Sequence, residues 1–328
     1  MPLVIALIAA TIVASGSVTR PGPGGAVIRF PSAQAGAHHA ELAPSNFVGV
    51  TAPDSPAAAA HRLAVYSATD GSLMRLLTTR QGGDGAFNPT VSADGLTVAF
   101  ERGRGTCHQT IDTVPFAGGS ERVLVPMGRS GHRPLIPSNP SFSGDGRHLA
   151  YTTATCSGAR ARIHVRDLAT GRELVRRSSL AGHGVFVNGD RALAFADDGR
   201  LAVLQIPSFA RRTYPAPDGC RYLAISGSDT RLVATLTCRR DPGAWIAAVS
   251  TTTFAVTSTL ARLPACRSCT SVSLSASDRP AILVATNNPC GLPGGGPRAR
   301  GAIFVVDGHT VRQLVSKQTT SLPYETAW

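Results

Sequence analysis

The stretch NPTVSADGLTVAFE, residues 88–101, returns as NPSFSGDGRHLAYT, residues 139–152, at an offset of 51 residues between Asn88 and Asn139. A repeat of that length is the mark of a propeller or solenoid, whose units bury their apolar faces only by stacking on one another. Each copy opens with a proline, where a strand can begin without a backbone N–H. It then turns through Asp-Gly (Asp94-Gly95 and Asp145-Gly146), a pair suited to tight hairpins that need positive φ. An alternating apolar strand follows in both copies.

A propeller blade is a four-stranded antiparallel meander of roughly 40–50 residues, and that template can be laid along the chain. The first copy supplies strands at 89–92, 96–102, 110–116 and 121–125, and the second at 140–143, 148–153, 161–167 and 173–177. Downstream the signature decays while the rhythm persists, giving three more blades within 184–214, 222–260 and 271–315. The leftovers are complementary: residues 47–78 supply three strands and the tail SLPYETAW supplies one. The expected fold is therefore all-β, a six-bladed β-propeller with ring closure by the C-terminal strand, residues 321–328 lying beside 47–51. With 34 Gly, 23 Pro and no long segment of period 3.6, helices find no support. Two small β-sandwiches would also read as many short strands, but would not require the leftovers to match.

The pattern x-P-x-x-S-x-D-G-x-x-[VLI]-A-[FY] resembles the repeat of TolB-type β-propellers. It falls on Pro89, Ser92, Asp94, Gly95, Ala99 and Phe100, and again on Pro140, Ser143, Asp145, Gly146, Ala150 and Tyr151. These positions imply an architecture and no catalytic role. In TolB the propeller binds protein partners and follows a separate N-terminal α/β domain. Fewer than fifty residues precede the first expected strand here, so neither that domain nor the family's role in its envelope complex is expected. Related propellers cap serine hydrolases, which need a G-x-S-x-G nucleophile elbow. This chain has no such pentapeptide, and Gly128-Arg129-Ser130-Gly131, the nearest string, reads as a turn.

Residues 3–14 (LVIALIAATIVA) are apolar but too short to span a bilayer comfortably, and small residues follow at once. Residues 1–16 read as a signal peptide or short N-terminal anchor, 17–46 as a disordered leader, and 47–328 as the propeller. Seven cysteines fit a secreted or extracytoplasmic cell-envelope protein better than a reducing cytosol. Hairpin arithmetic sets Cys220 opposite Cys238. Cys290 is expected to join Cys266 or Cys269, while Cys107 and Cys156 occupy matching loops of adjacent blades. The spacing Cys266-x-x-Cys269 lacks the second C-x-x-C or the βαβ context that zinc or redox work would need.

The net charge of +12 rests on arginine, Lys317 being the single lysine. Nucleic-acid binding asks for such charge with interleaved aromatics, and aromatics make up only 5% of the chain, so no nucleic-acid partner is expected. An anionic envelope polymer or a protein is the expected partner, with membrane contact only through an uncleaved N-terminal anchor. Asp94, Asp145, Asp198 and Asp218 precede glycine and have turn work to do, which leaves no evident metal cluster and no cofactor. The reading is a non-catalytic binding scaffold for a protein or other ligand such as a cell-wall fragment. Its rival is a metal-assisted enzyme of the lactonase or lyase kind with a divalent cation at the channel mouth. In a meander the loops joining second to third strands emerge on the same side as the blade connections. That side carries the cysteines, Asn88, Asn139 and the insertion 291–300, so Asn88, Asn139, Arg298 and Arg300 are the candidate contacts.

Overall fold

In the computed structural model of the chain the repeated Ser-x-Asp-Gly becomes one hydrogen-bonded turn, built twice. Ser92 Oγ donates to Asp94 Oδ1 (2.5 Å), which also accepts from Leu96 N (3.0 Å), while Thr97 N donates to Ser92 Oγ (3.0 Å). Ser143, Asp145, Arg147 N and His148 N repeat the set at 2.6, 2.9 and 2.8 Å. Gly95 and Gly146 take φ of 70° and 69°, where a Cβ would clash with its own backbone. The signature therefore specifies a turn whose polar side chains stand in for the ladder that ends there.

The structure describes residues 46–51, 61–78, 85–103, 107–178, 182–228, 230–263, 271–274, 281–286, 302–307, 310–314 and 326–327. The N-terminal signal or anchor segment and its leader up to residue 45 lie outside them, as do Cys266, Cys269, Cys290, Arg298, Arg300 and the insertion 291–300. Every element among the described residues is a strand, and the strands form six antiparallel sheets.

The first blade runs outward from Thr326–Ala327 through Asn46–Thr51 and Arg62–Ser67 to Leu73–Leu76. The second comprises Gly85–Val91, Thr97–Gly103, Gln109–Pro115 and Arg122–Val125. The third comprises Arg133–Phe142, His148–Ala154, Arg162–Asp167 and Glu173–Arg177, with Gly128–Ser130 as a fifth strand paired to the start of the first. The fourth is Gly184–Val187, Ala192–Asp197, Arg200–Gln205 and Arg211–Tyr214, and the fifth Cys220–Ser228, Arg231–Cys238, Asp241–Val249 and Val256–Leu263. Ser271–Leu274, Ala281–Thr286, Ala302–Asp307 and Thr310–Leu314 make the sixth. Each sheet lies against the next in sequence, and the sixth lies against Thr326–Ala327, which closes the ring.

Strand alternation explains how each sheet serves two neighbours. In the first blade Val48, Val50, Leu63 and Val65 turn to Ala86, Val98, Phe100 and Val114 of the second. The intervening Phe47, Ala64 and Tyr66 turn to Ile303, Val305 and Leu314 of the sixth. Similar clusters join the third blade to the fourth, the fourth to the fifth and the fifth to the sixth. The junction of the second and third blades buries Ala99, Ile111 and Leu149 beside polar side chains.

Two local expectations need correction. The inner strands start at Gly85 and Arg133, well before the prolines, so Asn88-Pro89 and Asn139-Pro140 lie inside strands, at register shifts in the ladder. A bulge accommodates proline because the ladder is already broken there, and Asn88 (φ 45°) and Asn139 (φ 54°) adopt the left-handed conformation that asparagine tolerates. Gly128-Arg129-Ser130 forms a strand paired with Leu135, Pro134 and Arg133, so the turn is confined to Gly131 and His132.

Ring closure rests on Ala327 opposite Val48 and Thr326 opposite Gly49. Removing residues 320–328 reopens the inner edge of the first blade. A melting temperature lower by roughly 5 °C or more is expected, at about 2–4 °C per kcal/mol for a domain of this size. Thermal denaturation followed by circular dichroism checks it, and an unchanged curve would exclude closure by the tail.

Candidate functional site

The second and third blades meet across a polar seam. Its origin is visible in the repeat register: Glu101 of the second blade stands where Thr152 stands in the third, each two residues after an alanine (Ala99 and Ala150) and so on the same face of its strand. Glu101 is 5% exposed. Its Oε1 accepts from Asn88 Nδ2 (2.8 Å) and, across the seam, from the backbone N–H of Asn139 (2.6 Å). Its Oε2 accepts from Gln109 Nε2 (2.6 Å), which also donates to Pro137 O of the third blade (3.0 Å). One buried carboxylate thus ties two bulges and two blades together. Burial pushes its carboxyl above the ordinary range, although the donors from Asn139, Asn88 and Gln109 each pull the other way.

A cavity of about 270 Å³ opens beside this carboxylate, lined by Asn88, Glu101, Gln109, Ser138, Asn139 and Cys156 among others. The disulfide Cys107–Cys156 joins the loop after the second strand of one blade to the equivalent loop of the next, with Cα atoms 5.2 Å apart. A second disulfide joins Cys220 to Cys238, cross-strand partners in the fifth blade. Both lie on the same side of the ring, where second strands end.

Farther out along the seam, Tyr151, Thr153 and His164 of the third blade point toward the second. The Tyr151 hydroxyl donates to Glu173 Oε1 (2.6 Å), and His164 Nδ1 lies 3.4 Å from Glu173 Oε2. A carboxylate can only accept, so Nδ1 carries the proton, and Nε2 pairs with Thr153 Oγ1 at 2.9 Å. The hydrogen bond from His164, with those from Tyr151 and the charge of Arg166, holds the Glu173 carboxyl below its ordinary range. Burial and the same carboxylate push the Tyr151 phenol up. The order hydroxyl, imidazole, carboxylate resembles a catalytic relay, but Thr153 and His164 are 6% and 8% exposed and the bonds are spent inside the sheet. Arg166 Nη1 reaches the second blade directly, donating to Leu124 O at 3.2 Å.

Of the residues singled out from sequence, Asn88 and Asn139 are brought together through Glu101. Their side-chain amides point inward: that of Asn88 to Glu101, that of Asn139 to Ser138 Oγ (3.3 Å) and Thr152 Oγ1 (3.1 Å). Sequence reasoning missed Glu101, Gln109 and the Tyr151–His164–Glu173 cluster. Comparing the two repeat copies position by position would have exposed Glu101; the cluster spans three strands and leaves no local motif.

Glu101→Ala removes the acceptor of the Asn139 N–H and of the Asn88 and Gln109 amides and should lower stability by roughly 2–4 kcal/mol. Glu101→Gln isolates the proton. Because the folded pKa is raised, the carboxyl's contribution is complete below the ordinary glutamate value of 4.5 and is lost as pH rises through the folded value. The stability gap between the parent protein and Glu101→Gln, measured by urea denaturation, should therefore narrow as pH increases. A gap that widens would show the carboxylate to be stabilised in its charged form.

No protein-family model matches the chain, and no curated protein matches it in sequence. Solved structures do. TolB from Acinetobacter baumannii superposes with a TM-score of 0.64 at 17% identity, over 87% of this chain and 66% of that one, so the chain spans just under two thirds of that TolB. Oligogalacturonate lyase in complex with manganese gives 0.56 at 14% identity, over 84% of this chain and 75% of that one. A chain of the nidogen–laminin complex gives 0.57 at 9% identity, over 86% and 97%. At such identities the likeness speaks for the fold alone, and with six sheets joined in a ring it gives this chain a β-propeller fold like that of TolB.

Proposed function

We propose that the protein is an exported, non-catalytic scaffold of the cell envelope whose protein partner docks on the disulfide-bearing side of the ring. The observation that carries this reading is the Cys107–Cys156 bond, which fixes two neighbouring loops across the polar seam beside the 270 Å³ cavity. Loops held on a rigid scaffold lose little entropy when a partner orders them. The opposite side offers short turns such as Asp94-Gly95, Gly118-Gly119, Asp145-Gly146 and Thr170-Gly171. Two disulfides favour an oxidising compartment. Propellers of this fold occur both in a protein complex, that of nidogen with laminin, and in a lyase that holds manganese.

Photocrosslinking residues placed singly at the exposed His108 and Ser157, on the disulfide side, and at the exposed Leu96 and Ala169, on the short-turn side, separate the faces. Adducts in the native envelope are expected from positions 108 and 157. Adducts confined to 96 and 169 would overturn the docking face. Calorimetric titration with calcium and manganese should give no stoichiometric binding; a one-to-one site for either would favour the metal-assisted enzyme instead.

A further inference from the structure

A second cleft, of about 730 Å³, lies next to the disulfide loop and is lined by Ser130, Arg160, Ala161, Arg162, Arg177 and Ser178. Three of its six residues are arginines and none is acidic or aromatic. Arg162 and Arg177 are direct cross-strand partners, which sets their Cβ atoms roughly 4.5–5.5 Å apart, a placement that like charges resist. Among the described residues neither guanidinium has an ion-pair or hydrogen-bond partner, and residues 179–181, which follow Ser178, carry no carboxylate in sequence. Glu173, on the same face of the sheet, is committed to Tyr151, His164 and Arg166.

The third arginine is placed by the backbone. Arg160 ends the loop that carries Cys156, in a left-handed conformation (φ 58°), and its Nη1 donates to Ser130 Oγ at 3.2 Å. Ser130 belongs to the fifth strand, which among the described residues only the third blade possesses. The extra hairpin thus forms one wall of the cleft and the paired arginines another. Ser178 N donates to Ala161 O (3.0 Å), which holds the outer edge in register.

We infer that this cleft binds the phosphate groups of a linear polyol-phosphate polymer. Two guanidinium forks that stand side by side can grip one phosphodiester from two directions, because its oxygens project tetrahedrally. The lone pairs of a carboxylate lie in a single plane, which one fork satisfies. Ser130 and Ser178 add hydroxyls suited to the polyol. A lining without aromatics gives nucleobases nothing to stack on, which disfavours a nucleic acid. The inference concerns a site of its own and does not depend on a protein docking on the disulfide side.

The test is binding of a fluorescent glycerol-phosphate decamer to the full chain, by anisotropy, across a salt series. Saturable binding that weakens with salt is expected. Arg162→Gln/Arg177→Gln should weaken it about tenfold or more, whereas Arg239→Gln/Arg240→Gln, an equal change of charge at exposed positions in the fifth blade, should stay within about threefold of the parent. Arg162→Lys/Arg177→Lys keeps the charge but not the forks and should fall between. Unchanged melting temperatures confirm that the variants fold. Equal losses in the two Gln pairs would reduce the effect to net charge, and parent-like binding by the Lys pair would refute the shared grip. Polygalacturonate of matched length binding as tightly, or a single-stranded oligonucleotide binding more tightly, would overturn the choice of ligand.

Discussion

Every blade of this protein is a small sheet with two faces to bury, and only a neighbour can bury them. Ring closure is consequently the constraint on which the rest depends. A terminal gap would expose an apolar face on each side of it, Phe47 and Tyr66 on one and Ile303 and Val305 on the other. The pairing of Thr326–Ala327 with the first blade is short, yet it makes that last junction part of a cycle. Each apolar junction then holds the two blades that form the next.

At the junction of the second and third blades a buried polar network joins the apolar contacts. Where Phe100 supplies an apolar ring to the junction of the first and second blades, its repeat partner Tyr151 supplies a hydroxyl committed to Glu173. Where Thr152 serves locally within the third blade, Glu101 reaches across to the next backbone. Directed bonds are added there to the burial of Ala99, Ile111 and Leu149, and they hold only while every partner is present. The Cys107–Cys156 bond adds a covalent restraint across the same seam. Cavity, disulfide and arginine cleft thus collect along one seam.

Much of the architecture was legible in the chain because it is encoded locally. Ser92-x-Asp94-Gly95 and its second copy specify a turn within a few residues, and alternation then assigns each apolar side chain to a neighbour. The bulges were not legible: proline at a strand start and proline in a bulge obey the same rule about missing N–H groups, and only the paired strand tells them apart. The extra strand at Gly128–Ser130 was hidden for a similar reason, since three residues carry no periodicity. Of the site, Asn88 and Asn139 were found through the motif, but their inward orientation and their link through Glu101 depend on two blades at once. Arg162 and Arg177 are fifteen residues apart and become a pair only through strand register.

The claim that the polar and covalent links of this seam hold its two blades together locally is tested most directly by peptide-resolved hydrogen exchange on Cys107→Ser/Cys156→Ser. Faster exchange is expected in Thr97–Gly103 and Arg133–Phe142, which flank the seam, with Gly184–Val187 and Ala192–Asp197 of the apolar-packed fourth blade unchanged. A uniform increase around the ring, or no change at the seam, would contradict it.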